Sequence, residues 1–598
     1  MGIIRIFYPV LGLIAFAWSF LQPPAPHRHG GEEAPKATRL QFEAVALPER
    51  GETVEELLTA PAATNLQNGR RSPLAFMKLM EVGQEEEGEL FGLLKDRDDR
   101  PLRFPDGTPW LCDGNNGVPG SGPDFFSLLD DPDGSGKLYM VTQFECSVGA
   151  YYMNEVARDG DGMLRAVPGS LRYVSQKAYY GGWNHCAGSR TPWESHLGSE
   201  EYEADGRIVE AERKPDGTTG FEGFDATAHY FGGDATQPNP YYWGWVTEVR
   251  VEEGEPDYRK HYAMGRFSHE VAYVMPDDRT VYMSDDGTNG GLFLFIADHP
   301  ANLNSGTLYA ARWRQRSTYE GGSAALEWIS LGHASASEVR RALEKRPNFS
   351  EMFDTEAPTA SGNCPTEGFT PVNAAGRAEC LKLRTDRCSE GVVSRLETRR
   401  YAALKGATTE FRKEEGITYD PDHRRLYVAI SEIGEGMRGG DPQSDAGGAN
   451  AIALEENPCG AVYALDIAES PVSDSGGERI GSAYVAVKME AILTGVPQGG
   501  LCAAEGIANP DNLTYLPGSN LLVIGEDSAR RPNNFLWAYD VESGALQRIA
   551  LLPKGAEATS PYWYRDLRGH GYLSLTVQHP EAGSSYVGVI GPFRSLPE

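Results

Sequence analysis

Between Asn184 and Trp193 the chain reads Asn-His-Cys-Ala-Gly-Ser-Arg-Thr-Pro-Trp, followed shortly by Leu197-Gly-Ser-Glu-Glu-Tyr-Glu203. A soft thiolate, Cys186, therefore stands near three carboxylates, Glu200, Glu201 and Glu203, in a stretch bent by Gly and Pro. That donor set suits a metal ion. A cysteine in a Gly-rich turn is also a common disulfide partner or small core residue, and on these residues alone both readings stand.

Four further clusters place carboxylates at turns or strand boundaries. Gly265-Arg-Phe-Ser-His-Glu270 precedes an apolar strand, so Glu270 can turn inward as a ligand with His269 or Arg266 behind it, or His269-Glu270 can be an exposed pair. In Glu410-Phe-Arg-Lys-Glu-Glu-Gly-Ile-Thr-Tyr-Asp420, Arg412 and Lys413 can bind an anion that a metal also holds, and Gly416 after Glu415 permits close backbone approach; a solvated turn is the plainer alternative. Asp511 and Asn512 follow Pro510 at a strand entrance, which is ordinary turn chemistry and also a source of oxygen ligands for calcium. Glu557 lies in Gly555-Ala-Glu-Ala-Thr559, with Gln578-His-Pro580 downstream. The loop Asp131-Pro-Asp-Gly-Ser-Gly136 has the spacing that begins a calcium loop, but Thr142 stands where a bidentate Glu would close it, so a hairpin turn is expected. No phosphate-binding Gly-rich loop, dinucleotide fingerprint, paired-His helix motif or serine-hydrolase elbow is present.

The elements that must position these residues are strands. The 69 Gly, 39 Pro and 28 Tyr, with few apolar runs at helical period, favour an all-β fold of short strands and tight turns. One pattern recurs: a polar turn, an apolar strand with Tyr or Leu, then acidic or amide residues at its exit. It appears at Gly136–Glu145, Arg279–Asp286, Arg424–Glu432, Asn520–Asp527 and Gly571–His579. Unequal intervals point to a β-propeller with inter-blade insertions, in which distant strand-exit residues can converge on the central channel. Residues 72–598 are expected to form one such domain, with its largest insertion at about 335–405. Within that insertion, helical spacing predicts a helix over Ser335–Lys345, capped by Ser337, and a second over Arg395–Leu404. Residues 23–71, rich in Pro, Ala and Glu, read as a largely irregular linker with a short helix at Val54–Leu58.

Charge excludes one class of partner. With 55 basic against 85 acidic residues and a net charge of -30, the chain repels a phosphate backbone, so nucleic acid is not expected. A short basic start, Met1–Arg5, precedes the apolar run Ile6–Phe20 and a Pro-rich stretch, which reads as an export signal or N-terminal anchor over residues 1–22. A periplasmic, secreted or surface-anchored location follows, with membrane contact only through that anchor. Eight cysteines are then free to oxidise, and Cys364, Cys380 and Cys388 suggest a disulfide-pinned loop. If Cys186 holds a metal, at least one of the other seven is left unpaired.

Taken in order, these segments resemble the PhoX-like alkaline phosphatase family from about Pro123-Asp-Phe-Phe-Ser to Gln578-His-Pro. The matches are Cys186–Trp193, Glu200-Glu201, Gly265–Glu270, Asp285-Asp-Gly287, Gly306-Thr-Leu-Tyr309, Glu415-Gly416, Pro510-Asp-Asn-Leu513 and Gln578-His-Pro580. The resemblance implies a six-bladed propeller that hydrolyses phosphate monoesters through an iron (Fe3+) and calcium cluster. It further implies Cys186, Glu201, Glu270 and Glu415 as ligands of the iron-calcium core and Asp511 and Glu557 as calcium ligands. Cys186 should therefore stay out of any disulfide. Hard carboxylates suit calcium and ferric iron, and one thiolate can complete an iron site. Metals so held can polarise phosphoryl oxygens and stabilise developing charge. A small phosphate ester is the implied substrate, and a monomer is expected.

The chain departs from the family at three points. Where the family has Arg-x-Glu-Gly, this chain has Lys413-Glu-Glu-Gly416, and Lys grips phosphate only as a point charge, alone or with Arg412. No arginine lies between Gly499 and Ala508, where a second phosphate-gripping one is expected, and Met1–Arg5 holds a single Arg rather than a twin-arginine signal. These departures keep two other functions in view: a calcium-stabilised, non-catalytic propeller binding a partner or surface glycan, and another metal-assisted hydrolase acting on phosphodiesters or lactones.

Overall fold

The computed structural model describes residues 39–594 except 48–51, 132–133, 442 and 447. The expected export signal lies outside the described residues. Among these the architecture is a six-bladed β-propeller. From the inner strand outward, the first blade runs Gly120–Asp130, Leu138–Cys146, Ala150–Arg158 and Leu164–Ala166. The second runs Ser189–Arg190, His196–Gly198, Thr247–Glu252 and Glu255–Lys260. The third is His269–Val274, Thr280–Asp285, Phe293–His299 and Asn302–Ser317. The fourth is Glu414–Asp420, Arg425–Ile430, Ala461–Ile467 and Ala486–Thr494. Strand Ser323–Ser335 pairs with the outer strands of both, fusing the third and fourth blades into one nine-stranded sheet.

The fifth blade is Pro510–Leu516, Leu521–Glu526, Phe535–Asp540 and Leu546–Leu551. The sixth closes the ring. Its inner strands Glu557–Thr559, Gly571–Gln578 and Tyr586–Phe593 come from the end of the chain, but its outer strand, Ala75–Glu81, comes from the beginning. Antiparallel pairing from Gly591↔Ala75 to Tyr586↔Glu81 joins the two ends.

Blades pack face to face, so their middle strands are buried on both sides and read as apolar runs rather than alternating. Leu521–Glu526 is buried at every position. The core is a set of inter-blade layers. Tyr282 and Leu294 meet Leu426 and Val428 between the third and fourth blades, and Val141 and Tyr151 meet Val249 and Tyr258 between the first and second. The recurring sequence pattern marks the second strand of five blades. The second blade escaped it because its counterpart, His196–Gly198, has only three residues and is followed by a long excursion with helices Gly206–Glu212 and Glu222–Ala226.

The upstream stretch carries short strands and lacks the expected helix. Strands Leu40–Phe42, Ala62–Asn65 and Arg71–Pro73 form a small sheet, and Leu58–Thr59 adds to the edge of the fifth blade with Leu58↔Leu551. Leu40, Phe42, Ala60 and Ala63 are buried in the core of the fifth blade and its neighbours. No helix forms at Val54–Leu58, because the fifth blade and the turn after it take this segment's backbone groups: Lys554 N–H donates to the Val54 carbonyl at 2.8 Å, and Leu58 pairs with Leu551.

The large insertion contains helix Ala336–Leu343, a sheet of Phe353–Glu356, Thr370–Ala374 and Arg377–Leu383, and helices Glu390–Leu396 and Thr398–Leu404. The first helix is capped by Ser335, not Ser337, through a reciprocal box with Glu338. The expected single helix at Arg395–Leu404 is two, broken at Glu397 (φ -126°, ψ 55°). Disulfides join Cys112–Cys146, Cys364–Cys380 and Cys459–Cys502, leaving Cys186 and Cys388 free. No helix among the described residues is long and apolar enough to cross a membrane.

Candidate metal centre

Each of the six blades delivers one ligand-type side chain from its inner strand or the turn just before it. These are Asp124, Cys186, Glu270, Glu415, Asp511 and Glu557, in blade order. Four of them share a backbone device. Strand register shifts between Pro123 and Phe126, His269 and Ala272, Glu414 and Ile417, and Pro510 and Leu513. Asp124, Glu270, Glu415 and Asp511 are the residues that begin those bulges. A bulge re-aims a side chain that strict alternation would send into the inter-blade layer, and here all four turn to the axis.

The second strands supply an outer set from their exits: Glu145, Asp286 and Asp527, with Glu201 three residues beyond His196–Gly198. The ligand atoms fall into four overlapping triads, each with all atoms within 4.8 Å of one another: Asp124–Glu145–Cys186, Cys186–Glu201–Glu270, Glu270–Glu415–Asp511 and Asp511–Asp527–Glu557. Shared members Cys186, Glu270 and Asp511 make these one continuous arc. All six predicted metal ligands, Cys186, Glu201, Glu270, Glu415, Asp511 and Glu557, are thus brought together and buried.

Such a cluster is costly without cations. Burial first, then the neighbouring carboxylates, push Asp124, Glu201, Glu270, Asp511 and Glu557 well above the carboxylate range. Glu145 and Glu415 are raised to about 7, again chiefly by burial. Burial, Asp124, Glu201 and Glu270 likewise raise the Cys186 thiol. Asp124 Oδ1 and Glu270 Oε2 are buried with no hydrogen-bond partner. Orphaned oxygens, crowded carboxylates and one thiolate fit polyvalent cations: the oxygens suit hard ions, and the sulfur suits a transition metal such as iron.

Amides orient the ligands. Gln578 Nε2 donates to Asp124 Oδ2 at 3.3 Å and to Glu145 Oε2 at 3.1 Å, and Asn512 Nδ2 donates to Glu270 Oε1 at 3.2 Å. His269 and Arg266, the expected supports of Glu270, are engaged elsewhere. His269 Nε2 bonds the Gly265 carbonyl at 2.9 Å, and Arg266 donates to the carbonyls of Trp243, Ala204 and Pro240. Glu200 faces away from the arc and pairs with buried Lys260 at 2.7 Å. Below the Cys186 loop, Gln143 Nε2 donates to the Cys186 carbonyl and its own Oε1 accepts from Tyr151 and bonds His196.

The two predicted phosphate-binding cations part company. Lys413 Nζ reaches the arc, 2.9 Å from Asp286 Oδ2 and 3.1 Å from Glu415 Oε1. Its own backbone sits at φ 48°. Arg412 turns outward to Glu432 at 2.6 Å and to Thr288 and Glu435. Burial works against the Asp286 carboxylate, yet Lys413, with hydrogen bonds from Glu201, Tyr202 and Lys413, holds it well below its usual range. From the insertion, Arg399 clamps Asp285 and donates to the Asp286 carbonyl at 2.9 Å, fixing the turn that carries Asp286.

Sequence reasoning missed Asp124, Glu145, Asp286 and Asp527 as site residues. The last three are the acidic strand exits of the recurring pattern, so a signal for them was present. Asp124 lies inside the inner strand Gly120–Asp130, in a run of eight consecutive buried residues, and although Pro123 precedes it no second carboxylate or thiol stands beside it to mark a ligand.

A family model described as alkaline phosphatase PhoX matches residues 169–581. The fold is similar to a structure of Pseudomonas fluorescens PhoX in complex with vanadate, a transition state analogue, with TM-score 0.58 and 18% identity, covering 92% of this chain and 98% of that one. A structure of Chaetomium thermophilum Sqt1 aligns over 79% of this chain and 95% of its own at 8% identity, but its TM-score of 0.26 is too low to inform the fold. No curated protein matches the chain.

Proposed function

The chain belongs to the PhoX alkaline phosphatase family, and from that premise we propose that it hydrolyses phosphate monoesters outside the cytoplasm with iron and calcium held in the propeller channel. The observation that carries this reading is the arc of overlapping triads, one ligand-type side chain from every blade, with Lys413 Nζ beside it. Cys186, with Glu201 and Glu270, is the natural place for iron, because it is the one thiolate donor in the arc. The all-oxygen triads around Asp511 suit calcium. When bound, such cations polarise phosphoryl oxygens and lower the pKa of an attacking water.

The chain's own residues do the rest. Lys413 Nζ leaves Asp286 and Glu415 in part to meet a phosphoryl oxygen as a point charge. Asp286 holds that ammonium in place, and the Tyr202 hydroxyl, bonded to Asp286, adds a donor at the same spot. Arg412, tied to Glu432, serves the loop rather than the substrate. The water oxygen joins phosphorus as the ester P–O bond breaks, and the water's proton ends on the departing alcohol. Three disulfides fit an oxidising compartment.

The test is elemental analysis of the purified protein beside an aryl phosphate assay with and without chelator. Iron and calcium should both be found, chelation should abolish turnover, and vanadate should inhibit. Undiminished hydrolysis by iron-free, calcium-free protein would sink the mechanism. A second reading, the calcium-stiffened non-catalytic propeller, draws on the pairing of Lys413 with two carboxylates and the diversion of Arg412. Calcium without iron, and no turnover on a panel of monoesters, diesters and lactones, would decide for it; turnover on diesters or lactones alone would favour the other metal-assisted hydrolase.

A further inference from the structure

A pocket of about 290 Å³ opens beside Tyr202, the residue that follows Glu201, and its walls include Trp183, Ile208, Phe221 and Phe224 with the half-exposed Arg377. Two of its walls are tied to the metal arc. Trp183 Nε1 donates to the Glu201 carbonyl at 2.7 Å. The Tyr202 hydroxyl donates to Asp286 Oδ2, and Lys413 Nζ lies 3.3 Å from that hydroxyl.

The pocket is apolar where the arc is charged. Tyr202 is 48% exposed and Phe221 43%, two of only seven large apolar side chains so exposed among the described residues. Their concentration at one place, next to the arc, marks a surface built to be covered. The carboxylates that reach this pocket, Glu203 and Asp205, are paired with Arg399 and Arg400, so neither presents a bare charge to a ligand. A dry cavity of about 150 Å³ already accepts a benzene molecule, so this one has room for a single ring with a substituent. A hydroxyl facing Trp183 or Phe224 would lack a partner, at a cost of about 1–3 kcal/mol, so an apolar ring fits these walls better than a sugar or polyol does.

We propose that this pocket receives the alcohol half of the ester, and that the preferred substrates are phosphate monoesters of apolar alcohols carrying one aromatic ring. This rests on the phosphatase reading. The phosphoryl group meets Lys413 and the arc, while the ring stacks between Tyr202 and Phe221.

The experiment uses the metal-loaded full chain. Phenyl phosphate, glycerol 2-phosphate and methyl phosphate are compared for the wild type, Phe221→Ala and Phe221→Leu. Binding of the non-hydrolysable phenylphosphonate and methylphosphonate is measured by calorimetry. Phenyl phosphate should have the highest kcat/KM. Phe221→Ala should raise its KM about tenfold with kcat little changed, leave methyl phosphate unaffected, and be partly rescued by Leu. Phenylphosphonate should bind more tightly than methylphosphonate in the wild type and lose that advantage in Phe221→Ala. An unchanged KM for phenyl phosphate in Phe221→Ala, with phenylphosphonate and methylphosphonate bound equally well, would overturn the pocket assignment while leaving the phosphatase reading intact. No hydrolysis and no phosphonate binding would overturn both.

Discussion

Lys413 stands where the resemblance leads one to expect an arginine, and the consequences belong to single side chains. An ammonium 2.9 Å from Asp286 and 3.1 Å from Glu415 can offer phosphate one charged donor, not a bidentate fork. Lys413→Ala should lower kcat/KM on an aryl phosphate by about 10²-fold, the usual loss of one preorganised donor, with metal content unchanged. Arg412→Ala should change kcat/KM by less than about threefold and cost less than about 1 kcal/mol, since its pair with Glu432 is partly solvated. Equal losses from the two would contradict the separation of Arg412 from Lys413. Glu270→Ala removes the carboxylate shared by two triads, so it should abolish both metal content and turnover; survival of both would refute the arc as the site. Cys186, Glu201, Glu270, Glu415, Asp511 and Glu557 were singled out through the resemblance of their segments to the family, and the structure gathers all six in one arc. Asp124 was not legible, because its side chain reaches the axis only through a bulge inside a buried strand, and residue types alone do not report a register shift.

Among the elements, the strands were easier to read than their attachments. Five second strands announced themselves by an apolar run between polar turns, whereas the edge strand Leu58–Thr59 carries no such pattern and exists only because the fifth blade offers unpaired backbone groups. The loop between the second and third strands of the fourth blade shows the same dependence on tertiary context. Glu410, buried, accepts from Ala451 N–H at 2.9 and 2.8 Å and from Ile452 N–H at 2.7 Å, pinning the long loop before Ala461–Ile467. Burial raises this carboxyl from 4.5 to about 8 despite those two donors. The folded state therefore holds a proton that the unfolded chain releases between about pH 4.5 and 8, so ν_N exceeds ν_U and stability falls as pH rises through that window. Limited proteolysis of the loop should accelerate from pH 5 to pH 8 relative to an unstructured control peptide. Glu410→Gln, which keeps the accepting oxygen and cannot ionise, should remove most of that dependence; an unchanged profile would show that Glu410 does not govern the loop.

At the scale of the whole molecule, the ring is closed twice. On its rim, Ala75–Glu81 pairs with Tyr586–Phe593 and joins the chain's beginning to its end. On its axis, every blade points a carboxylate or thiol at its neighbours, an arrangement whose mutual repulsion opposes closure until cations are bound. The rim was not legible in the sequence, since nothing in the stretch before residue 82 marks that it completes a blade with strands from the far end of the chain; that pairing is a property of ring closure, not of local pattern. The axis makes stability depend on metal. Ions bound at about 100 to 1,000 times their dissociation constant should stabilise the ring by about 3–4 kcal/mol each. Chelation should therefore lower the melting midpoint, and calcium should restore much of the loss. Magnesium should restore less, because it demands near-octahedral ligation at shorter distances and dehydrates reluctantly, whereas the arc offers many crowded carboxylate oxygens. Glu270→Gln, which removes a carboxyl that the metal-free fold must protonate or hold charged among its neighbours, should melt higher than the wild type when both are metal-free and lower when both are loaded. That crossing of the two curves is specific to a charge-crowded axis held by cations; a variant that melts on the same side of the wild type under both conditions would show that Glu270 acts only through packing.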